Sequence, residues 1–293
     1  MIRAAGVLLA FLLMGGVGCR TVGEKPIVIG SKNFTEQIIL GELLAQHIES
    51  RTGLPVTRRF DLGGTLICHQ ALRSGGIDLY VEYTGTALTV ILGEEPSQDP
   101  TEVYRRVKEE YARRFNLEWA PPLGFNNTFA LVVRGEDARR LNLHTLSDIA
   151  PHTPKWRAGF GYEFMERPDG YTGLADVYGL RFGSPPRTME LGLLYRALTQ
   201  KQVDIVAGSS TDGAIAALDL IVLEDDRRYF PPYYAAPVVR RETLERYPGL
   251  RAALDELAGK ISEEEMRRLN YAVEGEGRGV KQAVRDFLQA KGL

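Results

Sequence analysis

The stretch PIVIGSKNFTEQIILGELLAQHIESR, residues 26–51, decides the fold class. Pro26 to Gly30 is a short apolar run that reads as a buried strand. From Thr35 to Arg51 the period changes, and Ile38, Ile39, Leu43, Leu44 and Ile48 recur near helical spacing. The alternation continues outward. Val56 to Phe60 reads as a second strand, Thr65 to Ser74 as a second helix and Asp78 to Val81 as a third strand. This order predicts an α/β fold with parallel strands. Such sheets bind ligands at the carboxyl ends of their strands. That rule singles out Glu82-Tyr83-Thr84-Gly85-Thr86, which follows the third strand directly.

Further along, Thr101 to Phe115 reads as a long charged helix with a solvated face, and Pro121-Pro122 as a stiff crossing that ends a first lobe. A second α/β unit follows. Its strands are Phe129–Arg134, Arg157–Gly161 and Val203–Ala207, with a short helical turn at Leu146-Ser147-Asp148 and a helix over Leu191–Gln200. The loop from Gly208 to Gly213 opens another helix, for which Asp212 reads as a cap. Tyr229-Phe230-Pro231-Pro232-Tyr233-Tyr234 is a rigid aromatic connection, and Glu242 to Leu293 reads as several helices.

Bulk composition narrows the function. Charged residues make up 25% and hydrophobic ones 44%, so the chain can bury a substantial core. The formal net charge is −2 and no Lys/Arg stripe stands out, which argues against nucleic acid as a partner. His47, His69, His144 and His152 lack metal-ligand spacing, so neither metal nor cofactor is expected. Of the two cysteines, Cys68 sits in a helical stretch and reads as a small buried apolar residue. The chain start is different. Met1-Ile2-Arg3 precedes an apolar run from Ala4 to Val17, too short for a comfortable membrane span and shaped like a signal peptide. Gly16-Val17-Gly18-Cys19 is similar to a lipobox, with Gly16 where Leu is usual. Residues 1–19 thus read as an export signal with Cys19 the lipidation site, the alternative being a plain cleaved signal.

Several segments in order resemble the substrate-binding proteins of glycine betaine/choline/carnitine ABC importers. They are Gly30-Ser31-Lys32-Asn33-Phe34-Thr35-Glu36-Gln37, Gly63-Gly64-Thr65, Asp78 to Thr86, Asn127-Thr128-Phe129-Ala130, Glu166-Arg167-Pro168-Asp169-Gly170, Ser210-Thr211-Asp212-Gly213 and Phe230-Pro231-Pro232-Tyr233. The resemblance implies a two-lobed periplasmic-binding fold of the second type, with ligand in the inter-lobe cleft. Lobe 1 would hold residues 26–124 and 236–293, and lobe 2 residues 125–235. It implies a quaternary-amine ligand, and a permease and an ATPase as partners; with the export signal and Cys19, the expected location is periplasmic or the outer face of the cytoplasmic membrane, held there by lipid.

A quaternary ammonium has a diffuse charge and no hydrogen-bond donor, so aromatic faces suit it. On the resemblance, the cage positions fall on Tyr83, Phe129, Ser209 and Tyr233. Phe129 and Ser209 both stand where the family has Tyr. Phe129 keeps a ring, whereas Ser209 removes a wall. Lys32, Gln37, Thr86 and Arg167 match the family's groups for the ligand's anionic end. Read alone, these residues have plainer roles. Tyr83, Phe129 and Tyr233 suit core packing; Ser209 suits a helix cap; Lys32 suits a solvated surface; Arg167 suits a pair with Glu163 or Glu166.

The leading reading is an importer's binding protein for glycine betaine, choline, carnitine or a similar solute. A second keeps the class but gives it an amino acid or a bulkier betaine such as ergothioneine, because of Ser209. A third, an exported enzyme on the same scaffold, lacks support: no Gly-x-Ser-x-Gly elbow or His-Glu-x-x-His stands in the chain, and no Cys–His pair convinces as a catalytic one.

Overall fold

The computed structural model describes residues 25–293, so the apolar leader and Cys19 lie outside the described residues. In chain order the strands are β1 Ile27–Gly30, β2 Val56–Arg59, β3 Leu79–Tyr83, β4 Leu117–Trp119, β5 Phe129–Arg134, β6 Ala158–Phe160, β7 Arg187–Thr188, β8 Ile205–Ser209, β9 Leu220–Val222 and β10 Ala235–Arg240. They form two five-stranded sheets. The first has order β2-β1-β3-β10-β4, the second β7-β6-β8-β5-β9. No described helix is long and apolar enough to cross a membrane.

The first strand–helix unit forms where its periodicity places it. Ile27 and Ile29 are fully buried, and the helix α1 (Thr35–Thr52) buries Ile39, Leu40, Leu43, Leu44 and Ile48. That face packs on three C-terminal helices, Pro248–Glu256, Glu263–Glu274 and Val280–Lys291. The opposite side of the first sheet is closed by α2 (Thr65–Arg73) and the helix Pro100–Phe115, which turns Val103, Val107 and Tyr111 inward. Cys68 is fully buried there, and burial pushes its thiol up to about 12.

Two sequence expectations change. The strands are not all parallel: β10 runs antiparallel to β3 and β4, and β5 antiparallel to β8 and β9. The cause is connectivity. Strands β1, β2 and β3 run toward the junction between the sheets, whereas β5 and β10 begin there, just after the chain has crossed. Each must therefore run away from it. The third strand also extends beyond Val81 to Tyr83, because Glu82 and Tyr83 pair with Ala236 and Ala235 of β10. That partner lies some 150 residues downstream, out of reach of a local reading.

The two crossings pass side by side. Asn126 and Tyr234 form an isolated antiparallel bridge, and the Asn127 N–H donates to Tyr233 O at 3.0 Å. One apolar cluster runs from Leu79 and Tyr83 through Leu123, Phe125, Phe230 and Tyr233 to Phe160, Phe164 and Leu174. Burying a side chain of this size contributes roughly 1.5–3 kcal/mol, so the junction is part of the core.

Gly124 occupies the first crossing at φ +122, and a Cβ there would lie 2.7 Å from the Ile261 carbonyl oxygen. Gly93 also has positive φ, +66, but faces open space. Gly93→Ala should cost about 1–2 kcal/mol from backbone strain alone, and Gly124→Ala clearly more. Denaturant unfolding of both variants checks this; equal losses would show that the crossing is not tightly packed.

Candidate ligand-binding site

Tyr83 ends β3 with its ring stacked on Phe34, centroids 6.4 Å apart and planes 18° from parallel. Its hydroxyl donates to Glu36 Oε1 at 2.6 Å. Glu36 stands in the first turn of α1 and also accepts from Asn127 Nδ2 (2.6 Å), Asn270 Nδ2 (3.0 Å) and the Thr211 hydroxyl. One carboxylate thus ties β3, α1, a crossing, the loop after β8 and a C-terminal helix. Burial pushes its pKa above the usual carboxylate range, and the four donors only partly offset that. Burial, and then the nearby Glu36 charge, hold the Tyr83 phenol far above its ordinary value.

Lys32, between β1 and α1, is not a surface cation: it is 2% exposed. Its Nζ lies 2.6 Å from Glu82 Oε1 and 2.9 Å from Thr65 Oγ1, and 5.2 Å from the Tyr83 ring centroid. Glu82 is fully buried and is fixed by the Tyr80 hydroxyl at 3.0 Å and the Tyr83 N–H at 2.7 Å. Gln37, one residue beyond Glu36, is 1% exposed, and neither atom of its amide has a partner among the described residues.

Arg167 follows the short helix Tyr162–Glu166 of the second unit. Its partner is Asp169 rather than Glu163 or Glu166. Nε donates to Oδ1 at 2.8 Å and Nη2 to Oδ2 at 2.6 Å, while Glu163 stands 3.9 Å off. This forked pair is the geometry a guanidinium favours. Nη1 reaches across to Thr86 Oγ1 at 3.1 Å. Asp169 accepts further from the Tyr233 hydroxyl at 2.6 Å and the Thr89 hydroxyl at 2.9 Å. Burial would raise the Asp169 pKa, but the Arg167 bonds and charge outweigh it and hold the carboxyl below its usual value.

The guanidinium carbon lies 4.9 Å from the Phe129 ring centroid and 5.7 Å from that of Tyr233, and the two rings are 6.0 Å apart. Tyr233 lies against the backbone of Gly85, where a Cβ would come within 2.7 Å of its ring. Phe129 pairs directly opposite Ser209, and facing residues of an antiparallel pair share one face. Ser209 therefore stands beside Phe129. Asp212 does not cap the following helix, whose N-cap is Gly213. Instead it folds back, accepting from the Ser209 N–H at 2.8 Å and from the Tyr195 hydroxyl. Burial pushes its carboxyl up to about 7.

Thr86, Arg167, Phe129 and Tyr233 thus form one contact set, joined to Tyr83 and Lys32 through the first sheet. Ser209 reaches the set only beside Phe129, and Gln37 stands unpartnered in the first turn of α1. Sequence reading missed Glu36, Glu82 and Asp169, the carboxylates that organise the site, and the ring of Phe34. All four lie inside the quoted motifs, but an acidic residue in a helix turn, a strand or a loop carries no sign of its burial. Chemically the set offers ring faces already turned to a positive charge, plus several hydrogen-bond donors, all at the junction of two lobes.

Comparison with known proteins gives the family. The family described as the substrate binding domain of ABC-type glycine betaine transport systems matches residues 25–290. The carnitine transport binding protein OpuCC of Listeria monocytogenes is 38% identical over 268 residues, covering 91% of this chain and 87% of that protein. The ergothioneine transport permease/ergothioneine binding protein EgtU of Helicobacter pylori (strain G27) is also 38% identical, over 93% of this chain; the chain spans 49% of its length. A crystal structure of a glycine betaine/carnitine/choline ABC transporter protein superposes with TM-score 0.78 at 37% identity, covering 91% of this chain and 98% of that one. The two-lobed α/β fold expected from the sequence is therefore the fold this chain has. With its match running from the first described residue almost to the C-terminus, the chain belongs to the family of substrate-binding domains of ABC-type glycine betaine transporters.

Proposed function

We propose that this chain binds a quaternary-ammonium zwitterion of the glycine betaine and carnitine type between its lobes and hands it to an ABC permease driven by an ATPase. The observation that carries the reading is the Arg167 guanidinium held over Phe129 and Tyr233 where the lobes meet. Rings that present their faces to one cation suit another, and a cation–π contact contributes about 0.5–2 kcal/mol. The anionic end would take the N–H groups of Lys32 and Arg167 that remain free, with Thr86 and Gln37 beside them. Residues 26–124 with 236–293, and residues 125–235, are the units that would close on the ligand by hinge motion. The task is desolvation and presentation, without catalysis. The protein would be exported and tethered through Cys19.

Ergothioneine is the second ligand to consider. It is favoured by Ser209, which leaves room beside Phe129, and by the name of the Helicobacter pylori relative.

Three outcomes test these readings. Calorimetric titration should detect at least one of glycine betaine, choline, carnitine, proline betaine and ergothioneine below millimolar, and Phe129→Ala should weaken that ligand about tenfold. Failure of all five in the unaltered protein would overturn the quaternary-amine reading. Ser209→Tyr should tighten glycine betaine and weaken ergothioneine; unchanged affinities would put Ser209 outside the site. Cys19→Ser should move the protein from the membrane to the soluble fraction and abolish palmitate labelling, whereas retained labelling would rule out Cys19 as the anchor.

A further inference from the structure

Both cations at the tail end of the site already have a carboxylate of their own. Lys32 is 2.6 Å from Glu82, and Arg167 is forked onto Asp169. Neither carboxylate is free to leave. Glu82 is fully buried and fixed by the Tyr80 hydroxyl and the Tyr83 N–H, and Asp169 is 4% exposed and fixed by Tyr233 and Thr89. A ligand arriving beside Lys32 therefore meets a dipole rather than a net positive charge. What remains on offer is hydrogen bonding. Two of the three ammonium N–H groups are taken, by Glu82 and Thr65, which leaves one.

We infer that Glu82 is a specificity-determining residue, cancelling the charge of Lys32 so that the tail of the ligand is read by hydrogen bonds and not by net charge. The inference rests on the quaternary-amine reading above. It means that a neutral, hydroxyl-bearing tail and a carboxylate tail are both admitted beside the same ammonium cage. The field of a single uncompensated charge in a dry site is large and weakly screened by salt, so removing either member of the pair must tilt the preference. The two removals must tilt it in opposite directions. Without Glu82, the bare Lys32 charge attracts a carboxylate and repels a cation. Without Lys32, the bare Glu82 does the reverse.

Glycine betaine and choline share the trimethylammonium head and differ in the charge of the tail, so their ratio of dissociation constants isolates the effect. Both would be titrated calorimetrically into the unaltered protein, Glu82→Gln, Lys32→Gln and the double variant, with thermal unfolding recorded for each. The choline-to-betaine ratio should rise about tenfold or more in Glu82→Gln and fall by a similar factor in Lys32→Gln. It should return to within about threefold of its original value in the double variant. A pair that only supports the fold changes both affinities together and leaves the ratio unmoved, and that result overturns the inference. If Glu82→Gln does not fold, Lys32→Gln and the double variant carry the same test, since the double variant leaves no unpaired charge. Unaltered protein that binds another of the five ligands but neither glycine betaine nor choline overturns the inference that both tails are admitted; failure of all five defeats the quaternary-amine reading itself, and binding with an unmoved ratio defeats only the role of Glu82.

Discussion

Charge taken out of water has to be matched where the two lobes meet, and the rest of the site follows from how that is done. An isolated buried ion is costly enough that it either finds a partner or loses its charge. Lys32 finds Glu82, and Arg167 finds Asp169. Each carboxylate then collects neutral donors, and those donors include the two tyrosines of the site or their backbone. The Tyr233 hydroxyl is fixed by Asp169, and the Tyr83 hydroxyl by Glu36. The rings are held at the oxygen end, with Tyr83 facing Phe34 and Lys32, and Tyr233 facing Gly85 and Arg167. The acidic residues thus orient the aromatic surface.

The matching also joins the lobes. Asp169 belongs to the second unit but accepts from Thr89 in the first, and Glu36 in the first accepts from Thr211 in the second. Glu163 of the second unit takes the Thr65 N–H at the start of α2, at 2.8 Å. These links run beside the apolar cluster, and because each acceptor is a carboxylate each has a net value of roughly 1.5–3 kcal/mol.

Much of this was legible in the chain. The shift from the apolar run at Ile27–Gly30 to helical spacing after Thr35 located the first unit, and the ordered motifs located segments that the fold brings together between the two sheets. Local periodicity failed where distant strands decide the outcome. Nothing near Glu82 announces that β10 will pair with it and bury it, and nothing in Arg167-Pro168-Asp169-Gly170 announces that the turn folds its aspartate back onto its arginine. Likewise Lys32 looks like any lysine after a strand until Glu82 is brought beside it from fifty residues away. The residue types were readable, while their partners were set by the tertiary fold.

One feature of the first sheet bears on how the protein is made. Strand β10 lies between β3 and β4, yet it is synthesised only after the whole of the second unit. Until it emerges, β3 and β4 have no neighbour to bridge them, and α1 lacks the C-terminal helices that cover it. The second unit is one continuous segment and can complete itself first. The half made earliest is therefore finished last, and its unpaired strand edges stay open for most of the time the chain is growing.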